Sequence, residues 1–337
     1  MTFTLVSARR SGVCATAIAL LLPAAAHACA CGCGVFDVGD NAVVPMASDH
    51  GVTLFYRFSA MSQNDNREHG HAADPADNSD KRIATDFHTV GAEVRLSPKW
   101  SVMAELPIYD RRFTTTASNA QGNDIVETVP MTALGDAIVR VTYSGLAADL
   151  STGVTLGVKL PTGRTTSPTD AYGNQPYDRD TLPGTGSTDV IVGAYHVGHF
   201  AGARLSWFAQ GQYQVAVATR DGYRPGNEAD GAIGLSYALP VRGSVGVSPV
   251  LQVLGSVRGR DSGVNADPFN SGYQRLLIAP GLRVQVTRQL SLYGDVEVPI
   301  AQYVNAASAA DLASGLADSS GQLVAPVQFR FQVSYGF

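Results

Sequence analysis

The sequence predicts an all-β protein, a transmembrane antiparallel β-barrel of about twelve strands with short turns at one end and long loops at the other. Three observations carry this reading. Apolar residues recur at every second position in segment after segment. The links between those segments alternate short and long. An export signal precedes them all.

The 337 residues carry a net charge of −5, and 16% of them are charged. That length suits one large domain or two ordinary ones, and without a basic excess no nucleic-acid partner is expected. Mean hydropathy is near zero. A soluble domain fits that value, and so does a barrel whose lipid-facing residues are diluted by polar lumen-facing ones. The N-terminus separates the two. Arg9 and Arg10 precede VCATAIALLLPAAA (13–26), and AHACACGCG follows. A basic start, a short apolar stretch and a small-x-small site make residues 1–28 a Sec-type signal peptide. The stretch is too short to cross a bilayer as a helix. Cleavage after Ala26-His27-Ala28 leaves Cys29 first, and cleavage after Ala30 is the alternative. A leading cysteine also suits lipidation, although Ala26 stands where a lipoprotein signal carries Leu.

Residues 51–337 supply the strands. GVTLFYRFSAM (51–61) sets Val52, Leu54, Tyr56 and Phe58 against Thr53, Arg57 and Ser59. FHTVGAEVRL (87–96) sets Val90, Ala92, Val94 and Leu96 against Thr89, Glu93 and Arg95. SVMAELPIYD (101–110) sets Val102, Ala104, Leu106 and Ile108 against Glu105 and Tyr109. DAIVRVTYS (136–144) and GVTLGVKLP (153–161) continue the pattern around Arg140 and Lys159. Six more segments follow, at 188–196, 204–217, 231–239, 245–259, 275–287 and 290–302, and VQFRFQVSYGF (327–337) is the twelfth. An even number suits a single-chain bacterial outer-membrane barrel.

The links sort by parity. SPKW, GLAAD, GHFAGA, PVRGS and RQ are short; 62–84 and 164–187 are among the long polar ones. Periplasmic turns and extracellular loops produce this alternation, whereas a soluble sandwich has no reason to. Both ends of the barrel then fall on the periplasmic side. The last strand pairs with the first, because a sheet in hydrocarbon must leave no open edge. Its aromatic ending, Tyr335 and Phe337, resembles the signal read by the outer-membrane insertion machinery, an expected partner alongside the bilayer itself.

The opposite phase defines the lumen. Arg57, Arg95, Arg140, Lys159, Arg258, Arg283 and Arg330 point inward with Glu93, Glu105, Asp189, Asp295 and Glu297, seven bases against five acids. Charges in a narrow barrel must pair, so an ion-pair ladder is one reading. A polar pathway is the other, and the two are compatible.

The segment 29–50 opens with CACGCG, whose Cys29, Cys31 and Cys33 have the alternate spacing that can wrap a soft ion such as Cu(I) or Zn(II). A disulfide-bonded or plain tail is the competing reading. The rest, GVFDVGDNAVVPM (34–46), is apolar enough to enter the barrel as a plug, with the cysteines at the lower mouth. EHGH (68–71), beside Asp74 and Asp77, reads as a solvated loop before a metal site. No G-x-S-x-G, H-E-x-x-H or P-loop occurs, so no enzyme is expected. No cofactor beyond the soft ion is expected either.

TGVTLGVKLPTG (152–163), GTGSTDVIVGAY (184–195), GDAIVRVTY (135–143) and YGDVEVPIAQYVN (293–305) together resemble the outer-membrane barrels named for the phenol meta-cleavage pathway, over roughly 130–337. These are loosely grouped with fatty-acid and aromatic-hydrocarbon channels. The resemblance implies passive passage of a small apolar or aromatic molecule across the outer membrane of a Gram-negative bacterium. The alternatives are a metal-binding or redox-linked barrel using the CxCxC segment, and a sealed structural barrel.

Overall fold

The computed structural model describes residues 29–30 and 51–337, apart from 203, 241–244 and 318. The signal peptide and residues 31–50 lie outside the described residues. In chain order the first strands are β1 (Cys29–Ala30), β2 (Gly51–Gln63), β3 (Asp65–Glu68), β4 (His71–Ala72), β5 (Asp80–Ser97) and β6 (Trp100–Ser118). Next come β7 (Asp124–Leu134), β8 (Ala137–Tyr143), β9 (Thr152–Leu160), β10 (Thr188–His199), β11 (Leu205–Ala218) and β12 (Glu228–Tyr237). The last are β13 (Gly246–Arg258), β14 (Tyr273–Gln285), β15 (Leu290–Val304), β16 (Gln322–Val324) and β17 (Gln328–Gly336).

Twelve of these close a ring, in the order β2, β5, β6, β8, β9, β10, β11, β12, β13, β14, β15, β17 and back to β2. Every junction is antiparallel. The seam pairs Gln328 with Met61 at one end and Gly336 with Thr53 at the other, and the Phe337 amide adds a bond to the Val52 carbonyl at 2.9 Å. No edge remains at the seam, so its backbone groups are satisfied without water. The alternating side chains follow: Phe329, Phe331 and Tyr335 are exposed on the outer face, while Gln328, Arg330, Gln332 and Ser334 are buried inside.

Within the barrel wall, three strands depart furthest from the sequence reading. β5 begins at Asp80 and β6 continues to Ser118, both well past the predicted ends, and β7 occupies what was read as loop. The reason is that the amphipathicity inverts along these strands. Beyond Phe87 and Asp110 the outer face carries Arg82, Asp86, Arg112, Thr114 and Thr128, with Arg112 bridging Asp86 at 3.2 Å. The inner face carries Ile83, Phe113, Val129 and Met131, buried together with Tyr177, Leu182 and Leu323. An apolar-outside pattern marks a strand in lipid; here the same strands have left the lipid and have water outside. A search for greasy outer faces passes over them.

At this loop end a second small sheet folds into the barrel, ordered β1–β16–β3–β4. Residues 319–325 are buried. Asn270 holds them in place, donating to the Ser319 carbonyl at 3.1 Å and accepting from the Gly321 amide at 3.2 Å. Gln322 donates to the carbonyls of Asn305 and Gly272. The chain linking β15 to β17 is therefore a stopper in the mouth of the barrel.

A charge on the lipid face at mid-strand is costly. Phe331→Arg is expected to destabilise the barrel by about 2–4 kcal/mol, and Phe337→Arg, at the strand end, by about 0–1 kcal/mol. Reversible urea unfolding in lipid vesicles measures both.

Candidate functional site

The lumen is organised by three ladders of charge. In the first, Glu105 on β6 accepts from Arg57 on β2 at 3.3 Å through one oxygen and from Arg140 on β8 through the other. In the second, Lys159 on β9 lies 2.8 Å from its cross-strand partner Asp189 on β10 and 3.6 Å from Asp136. In the third, Arg330 on β17 meets its cross-strand partner Asp295 at 2.6 Å and Glu297 at 3.2 Å, both on β15. Tyr293 and Gln252 also donate to Asp295. All of these side chains are buried. Charges this far from water persist because each meets an opposite charge and further hydrogen bonds.

The remaining predicted residues sit differently. Arg258 pairs with Asp261 at 2.8 Å, in the loop that follows its own strand, and Tyr223 donates to the same carboxylate at 2.6 Å. Glu93, Arg95 and Arg283 are half-buried, towards the turn end of the barrel. Asp136, Asp261, Glu228, Asp230 and Arg275 are inward-facing or buried and were missed by sequence reasoning. The even phase of Arg140, extended two steps back, reaches Asp136; Glu228 and Asp230 precede the strand start read at 231.

The cysteine positions fare otherwise. The backbone of Cys29–Ala30 pairs in parallel with Gln322–Leu323 in the stopper. That places Cys29 at the loop end of the barrel and not at the lower mouth, because β16 offers it a free edge there. Cys31 and Cys33 lie outside the described residues. His69 packs edge-on against Tyr303, Asp74 caps the turn at 75–77, and among the described residues no group of three metal-ligating side chains converges.

A cavity of about 210 Å³ lies in the lumen between the first two ladders. Phe87, Pro107, Tyr109, Ile138, Leu182 and Pro183 line it, interleaved with charged side chains that include Arg57, Glu105, Arg140, Asp136, Lys159 and Asp230. A dry cavity of about 150 Å³ holds benzene, so this one has room for a single substituted ring.

Beside the cavity the wall is broken. The fourth strand of the ring is split at Gly135-Asp136 into β7 and β8. β8 pairs with both β6 and β9, but β7 pairs with β6 alone. The loop 161–187 takes the place of a strand along the other edge of β7. The Arg164 amide donates to the Leu134 carbonyl at 3.0 Å, Tyr177 Oη to the Val129 carbonyl at 2.6 Å, and the Ala171 amide to the Glu127 carboxylate at 3.0 Å. Leu134 and Leu160 flank the break on the outer face, 45% and 40% exposed.

Among solved structures, an outer membrane channel from Pseudomonas putida F1 superposes with a TM-score of 0.60 at 12% identity, covering 90% of this chain and all of that one. The chain has the fold of an outer-membrane β-barrel. The β domain of the Bordetella autotransporter BrkA (TM-score 0.48, 13% identity, 86% of this chain and 100% of that one) and the monoaromatic hydrocarbon channel CymD (0.43, 10%, 89% and 93%) are more distant. No family model and no curated protein matches the sequence.

Two outcomes follow from this geometry. Arg330→Met leaves Asp295 and Glu297 facing each other in the interior and is expected to cost about 3–5 kcal/mol in the same urea assay. Tyr177, in the loop, has its phenol pushed up to about 12 by burial, against about 10 in an unfolded chain. Its contribution to stability is complete below pH 10 and is lost as the pH rises through about 12. Ultraviolet titration of the wild type against Tyr177→Phe measures the difference.

Proposed function

We propose that the protein is a channel for passive passage of a small apolar or aromatic molecule across the outer membrane of a Gram-negative bacterium, to which a Sec-type signal delivers it. The route we propose runs between the lumen cavity and the surrounding lipid through the break beside β7. The loop end then faces outward and the turn end faces the periplasm. The observation that carries this reading is the conjunction of a stoppered mouth, a ring-sized cavity with apolar residues in its lining, and a split strand beside it. A solute too apolar to cross a hydrated mouth has a path here that stays close to hydrocarbon. The likeness of the 135–163 and 184–195 segments to the phenol-pathway barrels supports the same reading, as does the channel fold of the Pseudomonas putida neighbour. The three ladders, on this account, hold the ring rigid, and the first two supply charged lining to the cavity.

The test is uptake of radiolabelled toluene by cells that lack their own aromatic channels. Cells expressing the protein are expected to take it up faster than vector controls. Leu182→Trp, which fills the cavity, is expected to reduce the gain severalfold while the barrel still folds. Equal uptake in expressing and control cells would sink the reading.

A further inference from the structure

Asp136 stands where the wall breaks, and its carboxylate joins the three segments that meet there. Oδ1 accepts from the Gly163 amide at 2.9 Å, at the end of the Leu160-Pro161-Thr162-Gly163 turn. Oδ2 accepts from both the amide and the hydroxyl of Thr185, at 2.8 and 2.7 Å. Lys159 closes the network, donating to Thr185 Oγ1 at 2.6 Å while pairing with Asp189. The backbones are in contact as well. A Cβ added to Gly163 would sit 2.5 Å from Gly184 Cα and 2.8 Å from the Gly135 carbonyl carbon. Nothing larger than glycine allows the two ends of the loop to close so tightly on the break. Gly163 and Thr185 bracket the loop whose Leu182 and Pro183 wall the cavity and whose Tyr177 bonds to the edge of β7.

We propose that Asp136 is the latch of the sideways route: a positioning residue that clamps both ends of the 164–187 loop across the gap, so that its release sets how often cavity and lipid connect. The inference rests on the sideways exit proposed above. Its chemistry is that of a buried carboxylate receiving three hydrogen bonds from a segment that has no strand partner of its own. Hydrogen bonds to a charged group are the strong class, and this one carboxylate receives them from both ends of the loop. The clamp therefore ties the two loop ends to one side chain at the split.

The experiment compares the full chain with Asp136→Asn and with Thr185→Val, a milder variant that keeps the backbone bond and removes only the hydroxyl. Folding is checked by heat-dependent gel migration. Hydrogen exchange of the 163–187 amides reads the latch, and toluene uptake reads the route. Loss of one charged hydrogen bond is expected to speed exchange of this segment by about tenfold or more, with the amides of β12–β14 unchanged and uptake increased. Unchanged exchange in both folded variants overturns the latch. Faster exchange with uptake equal to that of the wild type overturns it too, since the clamp would then hold a loop that gates nothing. Uptake no faster than vector in every form, wild type included, contradicts the channel reading itself, and is distinguishable because the wild type fails as well.

Discussion

A peptide group in hydrocarbon has no water to bond with, and each one left unpaired costs several kcal/mol. That constraint governs the whole molecule. It forces β17 back onto β2, register by register, and it turns the aromatic C-terminal strand from an aggregation-prone edge into a seam. Where the fourth strand is split, at Gly135-Asp136, the edge is not left bare either. Along β7 a loop supplies the donors that a strand would have supplied, from Arg164, Ala171 and Tyr177. A wall mended by side chains and loop amides can be unmended at far lower cost than a continuous ladder. On the proposed reading, this is where the barrel opens.

Inside the barrel the corresponding constraint is on charge. Arg330 with Asp295 and Glu297, and Glu105 between Arg57 and Arg140, bridge neighbouring parts of the ring. They serve as struts in a lumen too narrow for a hydrophobic core of ordinary thickness. Next to Asp295, Phe208, Leu254, Leu277 and Tyr293 do pack as an apolar cluster. The cavity survives between these regions, where neither struts nor core fill the space.

Much of the fold was legible because lipid imposes a simple code. Strands at 51–61, 153–161 and 290–302 were found close to their actual bounds, since apolar-out alternation and short turns mark them directly. The upper parts of β5 and β6 and the whole of β7 were not, because outside the bilayer the code reverses: Thr114 and Thr128 face water, and Phe113 and Val129 face in. The site was legible only in part. Alternation picks out inward positions such as Lys159 and Asp189, but it cannot say that Gly135, Gly163 and Gly184 meet. That depends on two connections separated by a 28-residue stretch folding to one point, which period and composition do not encode. The stopper was hidden for the same reason, since Gln322-Leu323-Val324 reads as a fragment of polar loop until its burial is seen.

The central claim is that an apolar solute reaches the lumen cavity through the wall beside β7. Photolabelling with an aryl diazirine of about toluene size, followed by peptide mapping of the protein in outer membranes, tests it most directly. The account predicts adducts on both sides of the break: Tyr109, Ile138 and Leu182 within, Leu134 and Leu160 without. Adducts confined to the stopper and the other outer loops, with none at the cavity, would contradict it.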